Sequence, residues 1–429
     1  MKDLAKLALD RAKNAGADKI SCKISQTRKD EFNVETNKFS LLRTLFDDEL
    51  QLKVIIDGRK GNITINKLDI PSIEAAVDEC ITMAKSSIPD EAEDIAPLVE
   101  NKSFSRMIGG ADMEKLFART QEFVQHVKNK YPTVNMDMQA IFASHKNIYL
   151  NSNGVEFNDE CEGYYISPMF NAKDGEASSS FNYYMAMTTS LDKPFIEMGM
   201  FEALIAESAK SIKTRMVEDK YVGKIIMTPA CDDMVWYTLL WNFLDPHSMI
   251  SGTSRWKDAL RTQVADKKLT MRASPHHPEM VASERYTDDG FESKDFDFIK
   301  DGVLKSFALP LYAANKTGKP RAANTAFNNL EIAAGDVALA DMIKSIDKGI
   351  LVNRFSGASP GPSGDISGVA KNSFLIENGK ITDAISETMI SFNIVDILQN
   401  IPAISKERCY NGSSILPWCC FDGVTISGK

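Results

Sequence analysis

Between Gly357 and Gly368 the chain reads Gly-Ala-Ser-Pro-Gly-Pro-Ser-Gly-Asp-Ile-Ser-Gly, and six of these twelve residues are glycine or proline. Proline removes a backbone donor and fixes φ, and glycine makes a regular element entropically costly. The strip therefore cannot run as a helix or as a regular central strand. Loops of this length in compact domains are either functional or disordered. The downstream residues argue against disorder: the apolar Phe374-Leu375-Ile376, a hairpin turn at Asn378-Gly379, then the helix-like Ile394-Val395-Asp396-Ile397-Leu398. A structured glycine loop between strands brings backbone close to a ligand, a peptide or another chain. Gly361, Gly364 and Gly368 are the expected points of substrate or partner approach, and Asp365 is expected to accept backbone N–H bonds that fix the turn.

The rest of the chain divides by pattern. Leu4, Leu7, Ala8 and Ala12 fall at helical spacing, closed by Gly16. Strand-like segments come next at 20–24, 39–44 and 50–56, with a tight turn at Asp57-Gly58, and an amphipathic helix is predicted over 71–84. The acidic stretch 88–100, with two prolines, reads as a linker. A helix over 113–130, strands from 138 onward and a helix over 201–213 make a second unit. A third begins at Val222 and is rich in strand and turn signals. The expected domains are 1–105, 106–218 and 219–429. The expected class is α+β, with N-terminal helix–strand–helix layers followed by a β-rich C-terminal domain.

Composition narrows the partners. A net charge of −9, without a long basic run, disfavours direct nucleic-acid binding. No apolar run is long enough to span a membrane. The opening Met1-Lys2-Asp3-Leu4-Ala5 has no signal-peptide character, so a cytoplasmic location is expected. Seven cysteines without disulfide-like spacing fit reduced thiols, and no CxxC pair offers a ribbon or finger zinc site.

Several segments carry a family resemblance. The run from Gly357 to Ile401, with G-x-S-P, S-G-D-I-S-G and F-x-I-E-N-G-K-I, resembles the C-terminal core of the TldD/PmbA family. Ala15-Gly16-Ala17-Asp18, the strand-turn from Val54 to Gly61, Asn151-Ser152-Asn153-Gly154, Thr287-Asp288-Asp289-Gly290, Asp301-Gly302-Val303-Leu304 and the close at Gly423–Gly428 keep the family's order. The resemblance implies a metallopeptidase (hydrolase) family whose members were first described as modulators of DNA gyrase. Its peptidase branch carries an HExxxH-type motif on the helix opening the C-terminal domain. Two imidazoles one turn apart share a zinc there, and the Glu takes a proton from bound water. Here that helix reads from Cys231 to Asp245 and contains no histidine and no glutamate. The chain therefore looks like the PmbA branch, also called TldE.

What the resemblance implies is a non-catalytic or weakly catalytic subunit of a cytoplasmic complex for proteolysis of peptides or unfolded segments. It would be oligomeric, by pairing with a TldD-type subunit or by self-association. Zinc is expected in the TldD-type partner, and no cofactor in this chain. The alternatives are a stand-alone metallopeptidase with an atypical site, or a regulator of another machine such as DNA gyrase. Of five histidines, only the adjacent His276 and His277, in a proline-bounded turn, are candidate metal ligands. His126 and His145 read as solvated. Asp245-Pro246-His247-Ser248 gathers nucleophile-type residues without a nucleophile elbow. Cys409 lies where the peptidase branch would supply a thiolate.

Overall fold

The computed structural model describes residues 1–231, 233–324, 329–357 and 361–428. It is an α+β molecule built on two sheets. The first sheet is organised by four very long strands: β1 (Lys19–Glu35), β2 (Lys38–Ile56), β5 (Val134–Asn151) and β6 (Glu156–Asp174). With β3 (Arg59–Ile65) and β4 (Lys102–Arg106) they lie in the order β3-β2-β1-β5-β6-β4, and three short strands add to β6.

One face of this sheet carries two cores in sequence along the same strands. Ile20, Cys22 and Ile24 of β1, with Leu50, Leu52 and Val54 of β2, pack under α1 (Lys2–Asn14) and α2 (Ile70–Ser86). Farther along, Phe32 and Val34 of β1, with Val134, Met136 and Met138 of β5, pack near α3 (Met113–Lys130) and α4 (Phe201–Lys210). Residues two apart on a strand share a face, so even-numbered positions on β1 serve both cores. Both helix pairs follow from their apolar stripes, and α2 and α3 start on Asp69 and Asp112, whose carboxylates accept from Ser72 N and Lys115 N. The segments read as separate strands at 39–44 and 50–56 form one strand, β2.

The stretch 88–100 is irregular, as its prolines require, but it is a packed strap. Asp90 accepts from Lys316 Nζ at 2.7 Å and from the Tyr312 hydroxyl at 3.0 Å, both on the helix Leu311–Thr317. The lysine hydrogen bond does most to draw the Asp90 carboxyl down to about 2. Glu93, nearly buried, pairs with Lys53 and Lys60.

In the second sheet the strand Ser414–Ser427 is central. It pairs antiparallel with Tyr221–Met227, Thr388–Asn393 and Ala403–Tyr410, and parallel with Leu330–Ile332. Its core runs from Ile225 through Leu240, Phe298 and Ile390 to Ile426. A small apolar cluster of Ala96, Tyr149, Val155, Phe157 and Tyr286 joins the two sheets. Among the described residues no helix is long and apolar enough to cross a membrane.

Candidate functional site

The strand Tyr221–Met227 delivers the chain into the helical segment 229–244. It opens with a 3-10 turn at Pro229–Cys231 and widens into π-turns at Asp233–Tyr237 and Leu240–Leu244. Wide turns of this kind are uncommon and concentrate at functional sites. Here Met234, Val235, Trp236, Leu239, Leu240, Phe243 and Leu244 are all buried in the C-terminal core. Among the described side chains of the segment only Trp241 stands well out, its ring tilted against that of Tyr237 with centroids 5.7 Å apart. A zinc ion would need two imidazoles from one face of this segment, and the residues present do not fit it.

The start of the segment reaches a cleft. Ala230 packs in the same cluster as Cys409 and Trp418, and these last two line a hollow of about 630 Å³ together with the strap 187–199. Met187 N donates to Asn411 O at 2.8 Å, so the strap runs alongside the strand Ala403–Tyr410 into its turn. Gly412 has φ +85°, and a Cβ there would lie 2.6 Å from Met187 O, so glycine is required where strap and turn touch.

Several polar groups of this cleft are bound within the chain. The Cys409 thiol lies 3.2 Å from the Tyr184 hydroxyl. Arg408 donates to Glu331 at 2.6 Å, and Ser274 donates to the other carboxylate oxygen at 2.6 Å. Burial pushes the Glu331 carboxyl up, but the bonds from Ser274 and Arg408 and the nearby arginine charges outweigh it and hold it below the usual range.

His276 and His277 do not converge. His276 Nε2 donates to Ser293 O at 2.9 Å, and its Nδ1 accepts from Arg285 at 2.7 Å, so both ring nitrogens are engaged. His277 accepts from Glu279 N in its own turn and faces Tyr410. Among the described residues no three His, Cys, Asp or Glu side chains could together hold a metal. Asp245 caps the helix Pro246–Ile250 by accepting from His247 N at 2.7 Å, which gives that motif a structural role. His126 is bound to Glu202 at 2.9 Å, and His145 is held by the Thr27 hydroxyl at 3.0 Å; neither is the freely solvated group its surroundings in sequence suggest.

The glycine strip is structured, with 358–360 outside the described residues. Gly364 has φ +81°, and a Cβ there would meet Ile394 Cγ2 at 2.9 Å and Phe243 Cζ at 3.1 Å. Gly368 lies on the strand Asp365–Lys371, where a Cβ would strike the Phe355 ring and Ser356 O. Among the described residues nothing lies within 4 Å of a Cβ placed at Gly361. The crowding at Gly364 and Gly368 thus comes from this chain. Asp365 accepts from the Asn393 side-chain amide at 2.9 Å, in place of the expected backbone donors. Asn393 Nδ2 also donates to Ser363 O, and Arg255 donates to the same carbonyl.

Residues 220–428 match the family described as PmbA/TldA metallopeptidase C-terminal domain. The chain belongs to the TldD/PmbA family. It is 29% identical to the metalloprotease PmbA of Escherichia coli O157:H7 over 167 residues, 37% of each chain. Along its full length it is 19% identical to a metalloprotease PmbA homolog of Haemophilus influenzae, covering 96% of that protein. The fold superposes on TldE from Thermococcus kodakarensis with a TM-score of 0.84 at 19% identity, covering 100% of both chains. A candidate modulator of DNA gyrase from Bacteroides thetaiotaomicron gives a TM-score of 0.88 at 21% identity over 100% of this chain and 99% of that one. TldD/PmbA membership accounts for the expected layers and the β-rich C-terminal half.

Proposed function

We propose that this TldD/PmbA chain is the PmbA-type, non-catalytic or weakly catalytic subunit of a metallopeptidase complex. Its partner would be a zinc-bearing TldD-type chain, and its substrate peptides or unfolded segments. The observation that carries this reading is the segment 229–244: where the peptidase branch needs two histidines and a glutamate, it buries apolar side chains. The cleft at Cys409 then serves to hold a peptide, since strand ends and turns around it offer main-chain groups for extended backbone.

A pairing surface supports the same reading. Strand β3 covers β2 only from Leu50 to Ile56, so on the outer side of residues 38–49 the described residues supply no neighbouring strand. This edge shows Leu41, Leu45, Leu42 at 63% exposure and Phe46 at 76%. Phe39 stacks on Phe117 of α3 with centroids 4.6 Å apart, which extends the apolar surface. An uncovered edge of this kind pairs with another chain or aggregates. The occupant is the TldD-type subunit.

The test is co-expression with a TldD-type chain, followed by zinc analysis and peptide hydrolysis. The expected result is one zinc per pair and hydrolysis by the complex, with neither in this chain alone. Leu42→Lys with Phe46→Lys should separate the pair while leaving the fold intact. Stoichiometric zinc and hydrolysis by the isolated chain would overturn the reading. Self-association through the same edge, with no affinity for the TldD-type chain, would replace the partner by a second copy.

A further inference from the structure

Val281 lines the Cys409 cleft and packs on Gly163 of β6, and the next residue, Ala282, turns into a second hollow of about 380 Å³. Its floor is the sheet face opposite the helices. The strand register sets Arg106 of β4 and His145 of β5 on either side of Cys161 of β6, with Asp159 two residues along on the same face. Its other wall is the segment 282–288 of the C-terminal half. Residues from five distant parts of the chain therefore meet where the two sheets join.

The lining carries three cations, Lys23, Arg106 and Arg285, and three carboxylates, Asp159, Glu284 and Asp288, but they are not paired one to one. Lys23 pairs with Asp288 at 2.6 Å. Arg106 binds Asp159 through two contacts of 3.2 and 3.3 Å, and its Nη1 donates to Val281 O and Ser283 Oγ. Arg285 donates to the His276 ring, and among the described residues no carboxylate forms an ion pair with it. Burial, together with the like charge of Arg106, pulls the Arg285 pKa down against the pull of Asp159 and Asp295. An arginine cannot relieve this by losing its proton. Burial first, then the charges of Lys29 and Arg106, hold the His145 imidazole below its usual range.

Two further donors point the same way. Arg106 Nε is buried and has no hydrogen-bond partner. The Tyr286 hydroxyl is likewise buried and unpartnered, on a side chain only 7% exposed. Buried donors left unsatisfied cost free energy, and several around one hollow call for an acceptor. The acceptor should carry a negative charge, to meet the guanidinium of Arg285, which has no ion pair among the described residues, and two oxygens, to match a guanidinium fork.

We propose that this junction hollow is a carboxylate-binding site, in which Arg285, Arg106 Nε and the Tyr286 hydroxyl receive a monoanionic carboxylate. The carboxylate is the C-terminus of a peptide or a free small carboxylic acid. The site stands whether or not the chain pairs with a metallopeptidase subunit.

The experiment titrates the full chain with acetate, with tri-alanine and with tri-alanine amide, followed by calorimetry. One carboxylate form should bind, and the tri-alanine acid, if it is the ligand, should exceed its amide by about tenfold or more. Acetate competing with it, or binding in its place, would identify the small acid as the source; peptide binding without acetate binding would identify the terminus. Arg285→Gln should remove carboxylate binding. Tyr286→Phe should leave the thermal midpoint unchanged, because that hydroxyl has no partner to lose, yet weaken the carboxylate several-fold. If Arg285→Gln does not fold, Tyr286→Phe decides. Equal binding of acid and amide without acetate binding, binding of none of the three, or carboxylate binding untouched by these substitutions would overturn the proposal.

Discussion

The glycine strip and the junction hollow are both irregular regions fed by strands, yet they treat their polar groups in opposite ways. Around the strip, Asn393 and Arg255 bind Ser363 O, Asn393 binds Asp365, and the space at Gly364 is filled by Ile394 and Phe243. Around the hollow, among the described residues, Arg285 has no ion-pair partner, and Arg106 Nε and the Tyr286 hydroxyl have no acceptor. A region complete in itself stabilises the fold. A region with unmet donors is prepared for something outside the chain. Substitutions in the first should therefore change stability, and those in the second should change binding.

The largest expected effect tests the first half of that contrast. Gly364→Val places a β-branched residue at positive φ against Ile394 and Phe243, and should cost about 3 kcal/mol in denaturant unfolding. Gly361→Ala, with no described residue near its Cβ, should be silent. Equal stability of Gly364→Val and wild type would return the strip to a role in binding. Asn393→Ala comes next. It removes the cap on Val395 N as well as the amide that holds Asp365 and Ser363, and should cost about 1–2 kcal/mol.

Glu207 sharpens the contrast, because a carboxyl has an escape that arginine lacks. Burial raises it to about 7, against the opposing pull of Lys210 and the Asn353 amide, whose Nδ2 donates to it at 2.7 Å. The folded chain then holds a proton that the unfolded chain has lost, so this group's contribution falls as pH rises from the ordinary carboxyl value of 4.5 to about 7. Glu207→Gln should be more stable than wild type at pH 8 by about 1–2 kcal/mol, with the gap closing on acidification. Parallel melting curves across pH would contradict this.

The smallest effect is chemical. Cys161 in the hollow is partly exposed, whereas the other six cysteines are buried, Cys409 among them. Burial raises its thiol pKa despite Arg106, so iodoacetamide should label it slowly at neutral pH and faster as pH rises, ahead of Cys409. Mass mapping that finds Cys409 modified first would reverse the order of access to the two clefts.

Much of the architecture was legible in the sequence where burial leaves a period. The helices at 2–14, 70–86 and 113–130 and the strand at 221–227 lie where their apolar spacing puts them. The long strands were legible only in pieces. In the middle of β1, Gln26, Arg28 and Asp30 occupy the core-facing positions, between the two helix pairs, and a polar interval there hides the alternation. The glycine strip was conspicuous because backbone demands fix residue type. The hollow was not, since Arg106, Asp159 and Arg285 look like ordinary strand and loop charges until pairing brings them together. The nearest hint was the segment Ser283–Phe291, which stands out in sequence only as a family pattern.

The long strands also set the order in which this protein can be made. Strand β1 gains its second neighbour only when β5 is available, with Ser21 facing Asn151 and Val34 facing Met138. Until then the hairpin of β1 and β2 leaves the ribosome with the β1 edge open along its length, while β3 covers Leu50–Ile56 of the other edge. Sheets closed by such distant partners assemble slowly and are exposed to misassociation while they wait. A nascent chain halted before residue 134 should therefore bind holdase chaperones, and one released after β6 is complete should not.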